Sequence, residues 1–300
     1  MSRKKSKALM SLIIALAVSV IGFFVSDDEF NTPKNNFILD EVVFDDGELL
    51  KVHYVDVGQG DCTVIELPDG KIMMIDAGEN GMENSVFEFL NSINVNKIDF
   101  LIATHPHSDH IGGMPEVIAN YEIGEIYMPD VTHSSYTFEK MIKNISKKGL
   151  SINKAVAGKN IFSFDNLSAD IISPENTEYE NLNNYSVVIK LSYGENVFLF
   201  CGDIEKEVEE RLLLKNERIE CDVIKTAHHG SSTSSGSSFL KRANPQIAVI
   251  SCGIDNEYSH PHDEVLKRLA KIGTEIFRTD VSGTISVISD SKKFSVECER

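Results

Sequence analysis

Thr104-His105-Pro106-His107-Ser108-Asp109-His110-Ile111-Gly112-Gly113 places three imidazoles and a carboxylate within six residues. The run follows Phe100 to Thr104, an apolar stretch that reads as a buried strand. A loop at a strand end can turn all four side chains toward one point. Imidazole and carboxylate together are the donor set of zinc and similar ions in hydrolytic sites. A lone histidine is usually structural, but this density beside paired glycines is not that of a surface loop.

Around this cluster the chain alternates β-rich runs with turns and helical patterns. Leu50 to Val57, Cys62 to Leu67 and Lys71 to Ile75 read as strands, the last two joined by Pro68-Asp69-Gly70. Val86, Phe89, Leu90 and Ile93 give Ser85 to Ile93 helical spacing. In the second half Ala169 to Ser173, Ser186 to Tyr193, Asn196 to Cys201, Val223 to Ala227 and Ile247 to Ser251 are predicted strands. Helices are predicted over Lys206 to Lys215, Phe239 to Ala243 and Asp263 to Ile272, and strands near Glu275 to Thr279 and Thr284 to Ser289 close the chain. Two β-rich halves with interspersed helices predict an α/β protein with two sheets face to face and helices outside. No linker divides residues 48 to 300, which are expected to form one domain.

HxHxDH with the trailing Gly-Gly resembles the signature of the metallo-β-lactamase superfamily, and the resemblance implies a four-layer αββα sandwich. It implies that His105 and His107 serve one metal, while Asp109 and His110 serve a second or activate the water. Asp76, in Ile75-Asp76-Ala77-Gly78, matches the superfamily's aspartate at an earlier strand end and is expected to fix ligand geometry. Asp203, after Phe198-Leu199-Phe200-Cys201-Gly202, matches the bridging carboxylate. In Thr226-Ala227-His228-His229-Gly230-Ser231, either His228 or His229 is expected to ligate. The implied cofactors are two divalent ions, Zn²⁺ or Mn²⁺.

Asp56-Val57-Gly58-Gln59-Gly60-Asp61, Gly202-Asp203, His228-His229-Gly230-Ser231 and Ser259-His260-Pro261-His262 together resemble the extracytoplasmic hydrolase domain of the competence protein ComEC. The similarity runs over essentially all of residues 50 to 290 and implies a phosphodiesterase or nuclease acting on DNA. Asp61 is expected to support the ligands. His260 is expected to hydrogen-bond a phosphoryl oxygen or protonate the leaving group. Lys225 and Ser231 are expected to meet the substrate, and the polar run from Ser231 to Ser238 to be either a mobile rim that offers donors to phosphate or a plain flexible loop. The chain departs from many superfamily members in the third histidine of the first metal. The only histidine in that interval, His133, sits in a polar loop before a helix, where a cap or surface role is expected. Asn183 or Asn184 is the alternative donor, and weak binding at one position the alternative outcome.

Charge weighs against a general nucleic-acid binder. The formal net charge of the 300 residues is −17 and, because Arg3, Lys4, Lys5 and Lys7 lie in the first 26 without an acid, the remainder carries −21. Such a body lacks the clustered Lys and Arg that release counterions from phosphates. A cell-envelope phosphodiester such as phosphorylcholine on teichoic acid is therefore the rival substrate. A surface-anchored binding module with a structural metal is the rival outside enzymes, but structural zinc sites usually use cysteine. Cys62, Cys201, Cys221, Cys252 and Cys298 are widely spaced and read chiefly as small buried hydrophobes.

The four basic residues precede an uncharged apolar run from Ala8 to Val25, and Asp27, Asp28 and Glu29 follow at once. This order predicts a signal anchor, or a cleaved signal peptide, over residues 1–26, a polar linker over 27–47, and a catalytic body outside the cytoplasm. The membrane is the expected partner of the N-terminus. No segment points to a protein partner.

Overall fold

The computed structural model describes residues 48–300; the predicted anchor and linker lie outside the described residues. Strands β1 (Leu50–Tyr54), β2 (Thr63–Glu66), β3 (Ile72–Ile75), β4 (Lys97–Ile102), β5 (Glu122–Met128) and β6 (Ile152–Lys154) are joined by β14 (Ile285–Ser289) and β15 (Phe294–Cys298). Together they form an eight-stranded sheet in the order β15-β14-β1-β2-β3-β4-β5-β6. Strands β7 (Lys159–Phe164), β8 (Leu167–Ser173), β9 (Val188–Tyr193), β10 (Asn196–Phe200), β11 (Val223–Lys225), β12 (Ile247–Ile250) and β13 (Glu275–Arg278) form the second sheet, in reverse sequence order.

Successive side chains of a strand point to opposite faces, and that alternation builds three apolar layers. Met73, Ile75, Phe100 and Ile102 face Phe198, Phe200, Val223 and Val249 between the sheets. Met74, Ile98 and Leu101 turn outward to α1 (Glu83–Ser92), α3 (Met114–Asn120) and α4 (Tyr136–Lys147), through Leu90, Val117 and Met141. Leu199, Ile224 and Ala248 do the same toward α5 (Lys206–Leu214), α6 (Ser237–Ala243) and α7 (Asp263–Lys271), through Val208, Leu240 and Leu269. The result is the four-layer αββα sandwich. Among the described residues no helix is long and apolar enough to cross a membrane.

Strands β3, β4 and β5 run parallel, as do β10, β11, β12 and β13. Their carboxyl ends therefore carry the loops that bear chemistry. After β4 the loop enters the one-turn helix α2 (Ser108–Ile111), and the two glycines that follow have no room for a side chain. A Cβ on Gly112 would lie 2.2 Å from both Asn80 N and Glu79 C, all backbone that cannot swing aside. Gly112→Ala should therefore lower stability by about 3 kcal/mol or more. Urea denaturation checks this, and an unchanged midpoint would refute the close-packing argument.

Candidate metal centre

The ends of four strands, β3, β4, β10 and β11, converge to build the site. Asp76 follows β3 and accepts from Thr104 N at 2.8 Å and Thr104 Oγ1 at 2.6 Å, which fixes the exit of β4. The same carboxylate accepts from His110 Nδ1 at 2.7 Å and so turns His110 Nε2 toward Asp203 and Asp109. Asp203 follows β10, with its N–H donating to Ser186 Oγ at 3.0 Å; that hydroxyl also lies 3.3 Å from His105 Nδ1. His228 and His229 follow β11 in consecutive left-handed conformations, φ 52° and 51°. Such backbone is uncommon for side-chain-bearing residues and clusters at functional sites. His229 Nδ1 donates to the Ser251 carbonyl at 3.0 Å, leaving Nε2 to face the cluster.

The donor atoms stand at metal-site spacing. Four donors about 2.1 Å from one tetrahedral ion lie about 3.4 Å apart. Here His110 Nε2 is 3.3 Å from Asp203 Oδ1 and 3.8 Å from Asp109 Oδ2, and His229 Nε2 is 3.2 Å from Asp109 Oδ2 and 3.5 Å from Asp203 Oδ2. One donor from each of these four residues falls within 4.8 Å of all the others. On the other side His105 Nε2 lies 3.0 Å from His107 Nδ1 and 4.0 Å from Asp203 Oδ2. Asp203 thus approaches both sets of donors.

These residues fit divalent ions. His110 Nε2 and Asp203 Oδ1 are buried with no hydrogen-bond partner, a state that is costly unless something else satisfies them. Electrostatics point the same way. Burial would push the His110 imidazole down, yet Asp203, Asp109 and Asp76 together hold it well above its ordinary value. His229, likewise desolvated, is pushed up to about 10 by Asp203 and Asp61. The field at the convergence point stabilises positive charge.

His229 rather than His228 completes the four-residue group. His228 Nε2 is 3.7 Å from Asp203 Oδ2, but its Nδ1 lies 3.2 Å from Thr233 Oγ1 and the ring is partly exposed. Asp61 lies behind the ligands, with Oδ1 3.2 Å from His229 Nδ1. His260 is 9% exposed and stacks on Tyr258 with ring centroids 5.6 Å apart. Burial first, then His229 and His228, lower His260 to about 4. It is therefore a neutral hydrogen-bonding group at physiological pH rather than a protonated acid.

Three sequence expectations need correction. Lys225 does not reach the cleft: it is 2% exposed, and its Nζ pairs with Asp61 Oδ2 at 2.7 Å. Ser231 is also buried, its Oγ 3.1 Å from Thr233 Oγ1. The run from Ser231 to Ser238 is fastened by the Glu209 carboxylate, which accepts from the backbone N–H groups of Ser235 and Gly236, and by Arg268, which donates to the Ser234 and Ser235 carbonyls. A serine run so held is a packed element and not a loose rim. His133 does not cap the following helix, since Ser135 Oγ accepts from Phe138 N; His133 lines the cleft instead.

The cleft has a volume of about 390 Å³, and its walls include Gln59 and Tyr258, which sequence reasoning had not singled out. Ser186 was read only as the start of a strand. Its one available signal is a hydroxyl directly ahead of the apolar Val187, Val188 and Ile189.

The chain is 29% identical over 252 residues to "ComE operon protein 3" of Bacillus subtilis (strain 168), covering 78% of this chain and 32% of that protein. It is 28% identical over 242 residues to "Recombination protein 2" of Haemophilus influenzae, covering 79% and 28%. The chain thus spans about a third of the length of the curated relatives it matches. Among solved structures, the metallo-beta-lactamase fold protein YhfI from Bacillus subtilis superposes with a TM-score of 0.51 at 12% identity, over 76% of this chain and 95% of that one. The model of the Metallo-beta-lactamase superfamily matches residues 55–254, across the loops that carry every donor of the centre, and the chain belongs to that superfamily.

Proposed function

We propose that the chain is a metal-dependent phosphodiesterase that cleaves DNA outside the cytoplasm. The observation that carries the reading is the position of Asp203, within 4.0 Å of His105, which pairs with His107, and grouped with Asp109, His110 and His229. Divalent ions held there supply Lewis acidity, lowering the pKa of water toward neutrality and neutralising charge on phosphate oxygens. The protein's groups do the rest. Asp109, kept ionised by His110 and His229 against the cost of burial, faces the cleft as the proton acceptor. His260, neutral and lining the same cleft, donates a hydrogen bond to a phosphoryl oxygen.

Kinship with proteins named for the ComE operon and for recombination favours a DNA substrate. The basic, apolar and acidic order of residues 3 to 29 supports anchoring or secretion by the N-terminus. A net charge of −17 favours the second reading, an envelope phosphodiester met at the membrane surface.

One assay separates the two. Full-length chain supplied with Mn²⁺ or Zn²⁺ is given single-stranded DNA, double-stranded DNA, bis-p-nitrophenyl phosphate and choline phosphate esters. We expect single-stranded DNA to be cut, fastest with Mn²⁺. A DNA binder that displaces counterions loses about 10³–10⁵ in affinity between 50 and 200 mM salt; capture by the metal centre of an acidic body should lose less than tenfold. Cleavage of the small esters with DNA left intact would replace the nuclease with the envelope enzyme.

A further inference from the structure

We infer that Asn183 supplies its side-chain oxygen to the first metal position, beside His105, His107 and Asp203, where many members of the superfamily place a third histidine. The assignment rests on reading the cleft as a two-metal site.

Asn183 is 6% exposed and lines the cleft with His107 and Asp203, yet its Oδ1 has no hydrogen-bond partner. An unmet buried amide oxygen costs about 1–3 kcal/mol, and a cation in the cleft removes that cost. Its neighbour Asn184 is already committed: its Oδ1 accepts from Glu205 N at 3.0 Å, and its Nδ2 donates to Glu207 Oε2 at 3.0 Å. The two adjacent asparagines thus divide the work, one holding the start of α5 and the other left facing the cleft.

The backbone around Asn183 is tied to the first metal position. Asn183 N donates to Asn181 Oδ1 at 3.0 Å, and the Asn183 carbonyl accepts from Ser186 N at 3.0 Å. Ser186 Oγ in turn contacts both His105 and the Asp203 amide. The short 3₁₀ turn Leu182–Tyr185 is therefore braced against two residues of the site. His133 is the competing side chain. Its Nδ1 is also buried without a partner, but the ring is partly exposed, is 6.4 Å from the His107 ring between centroids, and is carried on a loop without such a brace.

The chemical consequence concerns metal choice. Two imidazoles, a carboxylate and an amide oxygen form a harder donor set than three imidazoles and a carboxylate. Carbonyl and carboxylate suit Mn²⁺, whereas imidazole suits Zn²⁺.

The test is metal binding by the full-length chain, read by elemental analysis after dialysis and by Mn²⁺ titration with electron paramagnetic resonance. Wild type should hold two Mn²⁺. Asn183→Ala should weaken one of them about ten- to hundredfold, as expected for loss of one charge-assisted contact, and leave the other unchanged. Asn183→Asp, which keeps the oxygen, should retain two ions. Asn183→His should shift the weaker position from Mn²⁺ toward Zn²⁺, and circular dichroism monitors folding throughout. Unaltered binding of both ions in Asn183→Ala overturns the inference, as does loss of one ion in His133→Ala but not in the Asn183 variants. A folded wild type that binds no metal at all would instead bring down the metal-centre reading itself.

Discussion

Asp203→Ala is expected to strip metal from both positions and to slow phosphodiester hydrolysis on the order of 10³-fold or more, the scale of losing a main electrostatic element of a catalytic centre. Asp203 is 2% exposed, and its oxygens face four imidazoles: His110 at 3.3 Å, His229 at 3.5 Å, His228 at 3.7 Å and His105 at 4.0 Å. His110 first, then His229 and His228, hold its carboxyl well below the usual range despite its burial. Without it, both sets of donors lose the carboxylate they share, so an ion held by either would lose a charged ligand. Asp203→Asn keeps the shape and one oxygen but not the charge, so it should fall between wild type and Asp203→Ala in metal content. Elemental analysis and single-turnover hydrolysis of bis-p-nitrophenyl phosphate measure both effects. Wild-type metal and rate in Asp203→Ala would remove Asp203 from the centre.

The parts of this architecture legible in sequence are those where one physical signal dominates. Val52, Met73, Ile75, Phe198 and Phe200 lie in runs apolar enough to read as strands, and each lines the layer between the sheets. Strand β4 begins at Lys97, three residues before the predicted Phe100, because Lys97 and Asp99 at its start break the apolar signal. Strand β5 was hidden by Gly124 and by exposed Glu122 and Glu125. The glycine is there because a Cβ would lie 2.5 Å from the Asp99 carbonyl on the neighbouring strand, a long-range fact no local pattern carries. Helix α4 carries Phe138, Met141 and Ile145 at helical spacing on its buried face, directly after the polar loop of His133.

In the centre, the cluster from His105 to His110 was readable because its donors are contiguous. Choosing between His228 and His229 needed the backbone, since two left-handed residues in succession send adjacent imidazoles to different neighbours. The serine run misled for a related reason. Its polarity is satisfied by Glu209 and Arg268, which lie about 26 and 34 residues away in sequence.

Lys225 shows most sharply what sequence alone withholds, and Lys225→Met is expected to destabilise the protein by about 3–5 kcal/mol, the cost of leaving a buried charge without its partner. Lysine at the end of an apolar strand reads as a surface cation, but β11 is central in its sheet and the end of Lys225 meets Asp61 from the loop between β1 and β2. Burial would raise the Asp61 carboxyl, yet the Lys225 ammonium, and after it His229, bring it below the usual carboxylate range. A carboxyl lowered on folding stabilises the native state above its unfolded value near 3.9, and that stabilisation is lost as the pH falls through the lower folded value. Removing the ammonium raises the folded value, so the acid-unfolding midpoint of Lys225→Met should move up. Replacing both partners, as in Lys225→Met with Asp61→Leu, removes the orphaned charge and should recover much of the stability. Activity should not recover with it, because His229 then loses the carboxylate 3.2 Å from its Nδ1, and supporting contacts of this kind are worth about 10–100-fold in metal affinity or rate. Urea denaturation at pH 7, an acid titration by circular dichroism and a metal titration measure the three effects. If Lys225→Met unfolds at the same urea concentration and the same pH as wild type, the buried pair does not carry the stability assigned to it.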